Sequence, residues 1–336
     1  MLLVLDQDKI QGCFWGLALG DALGQPVEFN HIDVIQKRYG LKGIQEPKAR
    51  ALWTDDTEMT FAVTRALLRL GSIAKIEELD ENSIRKVFAE EFITWSDNPG
   101  CAPGPTCMQA VNFLRSHPVK YWRSAGQNDS KGSGSVMRAA PLGLWFADAI
   151  APELSRGRGK IHDLLIQVST LQSEITHGHK VATAAALAGA YSVALAVNNT
   201  QPRDMVKPIQ RICNEIHPDF AGVMSKLGNV LYHRVRGEIN NDIEALHAIG
   251  LGWTGEEAFA MALYSVIQFP DDFRACLQTA VNHNGDSDSV GCIAGSIVGA
   301  LYGIKCLPLE WINRLAERQR MDQMLLQVCT FFSGHL

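Results

Sequence analysis

Apolar residues recur at three- and four-residue spacing along nearly the whole chain, the period of a helix with one buried face. The pattern predicts helices over residues 9–23, 57–70, 83–95, 107–116, 162–170, 179–197, 208–216, 220–227, 243–249, 254–268, 273–281, 290–302 and 309–332. Period-two alternation bounded by turns is nearly absent, so no sheet is expected. The connections are short apart from two Gly/Pro/Ser-bearing stretches, 97–106 and 123–135. Long loops in a compact domain carry function more often than not. With no linker and no fixed-period repeat, residues 1–336 read as one all-α, multi-helix domain.

Two helices carry a second pattern. Gly12, Gly16, Gly20 and Gly24 recur every four residues, as do Gly291, Gly295, Gly299 and Gly303. Each set lays a bare strip along one helix face, at roughly 1 kcal/mol per interior glycine relative to alanine. Such a strip admits another backbone at close range. The two strips either meet each other or each accommodate a different neighbour. The most apolar stretches, 181–197 and 290–304, fall short of the roughly 18–20 residues of a membrane span, and buried central helices account for them better.

Hydrophobic residues make up 46% of the 336 positions, charged residues 20%, and the net charge is −5. This describes a chain with ample core and no cationic track for a phosphate backbone, so general nucleic-acid binding is not expected. The eight cysteines form no Cys-x-x-Cys pair and read as buried, reduced thiols. The N-terminal apolar run is too short for a signal peptide, and a cytoplasmic location is expected.

Acidic residues cluster at the polar ends of the apolar helices. Asp21 and Glu28 follow the first glycine strip, Asp55 and Asp56 stand in WTDDTE, and Asp286 and Asp288 stand in NGDSDS before the second strip. Singly, each has a capping explanation: Asp55 with Glu58 fits a capping box, and Asp288 or Ser289 would cap a helix beginning at Val290. One cap needs one acceptor, however, and here the acids come in doublets alternating with hydroxyls. All-oxygen donor sets of this kind suit hard divalent cations. If the segments converge, about five negative charges share a small space, and two cations would neutralise about four of them.

Two further segments face a substrate in this reading. The Gly132-Ser133-Gly134-Ser135 turn, continuing through Val136, Met137 and Arg138 to a short helical turn ended by Pro141, is either a plain flexible turn or one whose backbone N–H groups hold a phosphate. His177 either caps the apolar helix that follows it or faces a ligand. Trp95, Trp122, Trp145 and Tyr302 are the candidates for stacking on a flat ring of a ligand, with core packing as the alternative.

Taken together, residues 12–28 (GCFWGLALGDALGQPVE), 53–60 (WTDDTEMT), 131–143 (KGSGSVMRAAPLG), 176–179 (THGH) and 284–303 resemble the ADP-ribosylglycohydrolase family in five motifs and in order. The resemblance implies an orthogonal all-α bundle and a metal-dependent hydrolase acting at C1″ of ADP-ribose. It implies two divalent cations, Mg²⁺ before Mn²⁺, with Thr54, Asp55, Asp56, Asp286, Asp288 and Ser289 as ligands. Glu28 would be the flexible carboxylate beside them. Glu28, Asp56 and Asp286 would form the catalytic set, with Glu28 or one of the paired aspartates as general base. Gly132, Ser133, Gly134, Ser135, Met137 and His177 would bind the ADP-ribosyl group. The implied partner is an ADP-ribosylated protein or a small ADP-ribose conjugate, and the protein would be a monomer or weak dimer. A silent ADP-ribose-binding protein of the same fold is the alternative.

One segment departs from the family. Arginine-specific members carry an acid where this chain has NPGCAPGPT (98–106), and the nearest acid is Asp97. The expectation is therefore recognition mainly of the ADP-ribose half, permissive toward the group attached, with Asp97 as the acid able to meet a guanidinium.

Overall fold

The computed structural model describes residues 6–73 and 75–334. The chain runs through α1 (Gln7–Gly24), α2 (Ile32–Tyr39), α3 (Asp55–Ile73), α4 (Glu81–Trp95), α5 (Pro105–Ser116), α6 (Ala140–Arg156), α7 (Lys160–Glu174) and α8 (Lys180–Val197). It continues through α9 (Pro202–Asn214), α10 (Asp219–Val235), α11 (Asp242–Ile249), α12 (Gly255–Gln268), α13 (Phe273–Val281), α14 (Ser287–Tyr302), α15 (Leu309–Ile312) and α16 (Arg318–Gly334). Among the described residues, β pairing is limited to three isolated bridges, so the all-α expectation holds.

The two glycine strips meet each other. A Cβ on Gly291 would lie 2.6 Å from the Gly20 carbonyl oxygen, and one on Gly16 or Gly12 would fall on the carbonyl of Gly295 or Gly299. The residue order is opposed, so α1 and α14 run antiparallel with backbones in contact. Every α14 residue from Ser287 to Leu301 is buried, as is nearly all of α1 beyond Gln11. Around this pair, α8 is buried against α6, α7, α9, α12 and α14. By length and composition α8 could cross a bilayer, yet 94% of it is buried here, as expected of a central helix.

Three differences from the periodicity have local causes. Pro141 does not end a helical turn; it sits in the first turn of α6, where its missing N–H costs nothing. The expected helix 309–332 breaks after Ile312. There the Ala51 N–H donates to the Arg314 carbonyl (2.9 Å) and the Ala316 N–H to the Ala51 carbonyl (2.9 Å). That bridge ties the segment before Trp53 to the C-terminal helices. Finally, α2 is only eight residues long with Ile32 and Ile35 alone buried, too short for its period to register.

Candidate metal centre

Because α1 and α14 are antiparallel, the C-terminal end of one lies beside the N-terminal end of the other. Gly24 packs directly on the Asp288 backbone. Asp21, in the last turn of α1, is fully buried, and its carboxylate accepts from the N–H groups of Thr54 (2.9 Å) and Thr57 (3.1 Å) and from the Thr57 hydroxyl (2.5 Å). It therefore clamps the start of α3 and brings Asp55 and Asp56 to the same place. Thr54 Oγ1 completes that start by accepting from the Asp56 N–H (3.2 Å). Glu58 forms no capping box: it accepts from Trp53 Nε1 (2.8 Å) and takes both guanidinium arms of Arg320 (2.6 Å each). At α14 the cap is Asp286, two residues before Asp288 and three before Ser289, accepting from the Ser289 N–H (3.3 Å).

The carboxylates converge. Oxygens of Glu28, Asp286 and Asp288 all lie within 4.8 Å of one another, and Asp288 is within hydrogen-bond reach of both other groups. Burial, then the charges of Asp286 and Asp55, push the Glu28 carboxyl up to about 8. Burial pushes Asp55 to about 7 despite the Gly104 N–H it accepts (3.1 Å). Asp56 and Asp288 are driven well above the usual carboxylate range by burial and by their acidic neighbours. Asp56 Oδ2 is buried with no donor. A cluster of oxygens held at this range by two helix N-termini, with an orphaned acceptor inside it, fits hard divalent cations: protons or cations must sit among them. Thr54, Asp55, Asp56, Asp286, Asp288 and Ser289 thus come from two distant segments, at the starts of α3 and α14, with Glu28 from a third at the rim.

The cluster opens into a cavity of about 490 Å³ lined by Glu28, Phe29, Asp55, Asp56, Ala102–Thr106, Gly132–Gly134, Met137, His177, Trp253, Asp286 and Ser289. The Gly/Ser turn is fixed to the acids, since the Ser133 hydroxyl donates to Asp286 Oδ2 (2.7 Å). Gly134 leaves no room for a side chain: a Cβ there would lie 2.7 Å from the His177 ring. Two expected binding residues lie elsewhere. Ser135 is buried, and its hydroxyl donates to the Ala182 carbonyl (3.0 Å), because the 3₁₀ turn rotates it toward α8. Asp97 is exposed and paired with Arg115 at the end of α4, outside the cavity. Trp95, Trp122, Trp145 and Tyr302 also lie off the cavity; Trp145, for example, packs on Phe331 and Phe332.

Residues the sequence did not single out complete the site. Arg138 is fully buried; it donates through Nε to Gln172 Oε1 (2.8 Å) and through Nη2 to Thr176 Oγ1 (2.8 Å), with Phe92 under its guanidinium. Thr176 Oγ1 in turn meets His177 Nδ1 at 2.8 Å. Burial and then the Arg138 charge hold His177 down to about 3, so it faces the cavity as a neutral imidazole. The signal was present, since Arg138 closes the GSGSVMR motif, but burial of an arginine is not visible in a sequence. Phe29 and Trp253, stacked at 5.0 Å and 12°, form part of the mouth.

The comparisons with known proteins agree with one another. The ADP-ribosylglycohydrolase family model matches residues 4–333. The ADP-ribosyl-[dinitrogen reductase] glycohydrolase of Rhodospirillum rubrum is 27% identical over 317 residues, covering 92% of this chain and 90% of that protein. The ADP-ribosylarginine hydrolase Tri1 of Serratia proteamaculans is 22% identical, covering 96% and 79%, and the ADP-ribosylhydrolase ARH3 of Danio rerio is 25% identical, covering 92% and 86%. A solved ADP-ribosylglycohydrolase-related protein complex superposes with a TM-score of 0.68 at 23% identity, covering 98% of this chain and all of that one, and shares the fold.

Proposed function

The chain belongs to the ADP-ribosylglycohydrolase family, and on that footing we propose that it is a divalent-cation-dependent hydrolase of the bond at C1″ of ADP-ribosyl groups carried by proteins or small conjugates. The observation that carries the reading is the convergence on one cavity of Glu28, just after α1, Asp55 and Asp56 at the start of α3, and Asp286 at the cap of α14, with Asp56 Oδ2 buried and left without a donor. When bound, two cations of the Mg²⁺ or Mn²⁺ class, held by Thr54, Asp55, Asp56, Asp286, Asp288 and Ser289, would neutralise these acids and supply Lewis-acid contacts to sugar hydroxyls.

The chain's own residues divide the remaining work. Glu28 stands at the rim on a 3₁₀ turn, half-exposed, with a carboxyl raised to about 8 in the bare cluster. A carboxylate so placed can take a proton from water attacking C1″, with Asp56 and Asp286 holding the field in which charge develops on the sugar. The bare backbone of Gly132 and Gly134, backed by neutral His177, receives the diphosphate. The Ala102–Pro105 wall carries no charge, so recognition rests mainly on the ADP-ribose half.

The test is release of ADP-ribose from arginine-linked, serine-linked and acetyl-linked ADP-ribose, with and without Mg²⁺. Asp55→Ala/Asp56→Ala is expected to lose about a thousandfold or more in kcat/KM, the scale of removing preorganised transition-state stabilisation. Full activity in that variant would sink the assignment. Tight ADP-ribose binding without release from any conjugate would instead support the silent binding protein.

A further inference from the structure

A second cavity, of about 200 Å³, is lined by residues of α6, α7, α8 and α9, and no residue lining it lines the metal-site cavity. Its wall is built around a buried polar chain. Glu153 in α6 accepts from the N–H groups of Ile161 and His162 (3.0 Å each) in the first turn of α7, and meets His162 Nδ1 at 2.7 Å. In spite of burial, these contacts hold its carboxyl below the usual range. A Cβ on Gly159 would fall on that carboxylate, so the α6–α7 connection is fitted to it. An ionised carboxylate only accepts, so Nδ1 carries the proton, and Nε2 faces the Tyr191 hydroxyl of α8 (3.1 Å). His162 and Tyr191 are 4% and 3% exposed. Burial pushes the Tyr191 phenol up to about 12 despite the Arg211 charge, so the chain ends in a protonated hydroxyl and not in a nucleophile. The wall is built to bind, not to attack.

Pairing inside this cavity is incomplete. Arg158 is held by Asp163 (2.6 Å) and by Glu215, and Glu153 is taken up by the start of α7. Arg211 and the Thr200 hydroxyl line the same space with no ion pair and no side-chain hydrogen bond among the described residues. Every lining acid is thus engaged, while one cation and one hydroxyl are left over. Beside them the lining is apolar, from Leu154, Leu195, Pro208 and Ile212. We propose that the cavity binds a small monocarboxylate with a short apolar body, its carboxylate on Arg211 and the Thr200 hydroxyl and its body against these four side chains. A guanidinium takes a carboxylate through two parallel hydrogen bonds, and the free Arg211 fork has both to give. Inorganic phosphate would leave the apolar wall unused and bring a second negative charge toward Glu153 and Glu215. An uncharged molecule of the same shape would leave Arg211 unpaired. The proposal is independent of what the metal centre hydrolyses.

The experiment titrates 3-methylbutanoate, its uncharged isostere 3-methylbutanamide, and inorganic phosphate into the full chain with Mg²⁺, followed by NMR. Wild type is compared with Arg211→Met and Thr200→Val, with folding checked by circular dichroism. Saturable binding of 3-methylbutanoate is expected, about tenfold or more tighter than the amide and weakened about tenfold or more in Arg211→Met, the scale of a charge-assisted contact. Thr200→Val, which removes only a hydroxyl, is expected to weaken it about 2- to 10-fold. Arg211 is exposed on α9, so its replacement leaves the core untouched, and Thr200→Val carries the test alone if that variant fails to fold. No saturable binding of the carboxylate, equal binding of the amide, or tighter binding of phosphate would overturn the proposal. Carboxylate binding unchanged in the folded variants would place the probe elsewhere, the metal centre included, and would overturn it too.

Discussion

The bodies and the tips of α1 and α14 obey opposite rules. Along their bodies the facing side chains are absent at every fourth residue, and the two backbones touch. At their tips Asp21, Glu28, Asp286 and Asp288 meet with Asp55 and Asp56; burial raises all of their carboxyls, and the charges of their acidic neighbours add to it at Glu28, Asp55, Asp56 and Asp288. The first region tolerates no added atom, while the second is short of positive charge. The difference shows how a costly cluster is maintained: a zone of backbone contact with little freedom to adjust fixes the register of two helix ends that would otherwise separate.

The sharpest way to break this arrangement is a single methyl group. Gly20→Ala would place its Cβ on the Gly291 carbonyl and is expected to cost roughly 3 kcal/mol or more in urea unfolding, although alanine gains about 1 kcal/mol of helix propensity. Gly222→Ala in α10, where an added Cβ meets nothing within 4 Å, should stabilise by up to about 1 kcal/mol. Equal effects at the two sites would remove the contrast.

Next in size is the response of the tips to metal and pH. In the chelated protein Glu28, near 8, and Asp21 and Asp55, near 7, hold protons that the unfolded chain releases near 4. The folded state binds more protons in this window, so chelated stability falls as pH rises from about 5 to 8. Buried His177 and His283, held down to about 3 and about 4, act oppositely below about 6.5, with or without metal, and cancel from the comparison. Saturating Mg²⁺ or Mn²⁺ is therefore expected to raise Tm by roughly 5 °C or more at pH 8, and by less at pH 5. A gap that narrows with rising pH would contradict the charge account.

A smaller effect is expected at Asp21→Asn. The carboxamide has one accepting oxygen where the carboxylate uses two, and its NH₂ would face a donor that Asp21 now accepts from, so the start of α3 loosens, at about 1–3 kcal/mol. Thermal melts and Mn²⁺ affinity should weaken together. Smallest of all, Asp97→Ala should shift stability by no more than about 0.5 kcal/mol, as an exposed ion pair does, and leave the ratio of arginine-linked to serine-linked cleavage where it was. Loss of that ratio would restore Asp97 as the guanidinium contact.

Much of the fold was legible because it rests on period. The glycine strips stood out at four-residue spacing, and only their mutual contact needed coordinates. The acids were legible as doublets with hydroxyls, a composition that capping alone did not exhaust. Asp21 was visible, but not that its oxygens are consumed by Thr54 and Thr57, because that depends on how α3 meets α1. Chain proximity misled at Asp97, where Arg115 captures the carboxylate, and at Ser135, where a tight turn rotates one residue of a run away from its neighbours. Phe29 and Trp253 are 224 positions apart in the sequence and carry no shared pattern, so no one-dimensional reading pairs them.

The central claim is that the tips of α1, α3 and α14 hold divalent cations. Calorimetric titration of Mn²⁺ into chelator-stripped protein tests it most directly, alongside Asp55→Ala/Asp56→Ala with its folding checked by circular dichroism. The account predicts binding of two ions per chain in wild type, tightening as pH rises toward 8, and loss of that binding in the folded double variant. Absence of binding in wild type, or unchanged binding in the variant, would contradict it.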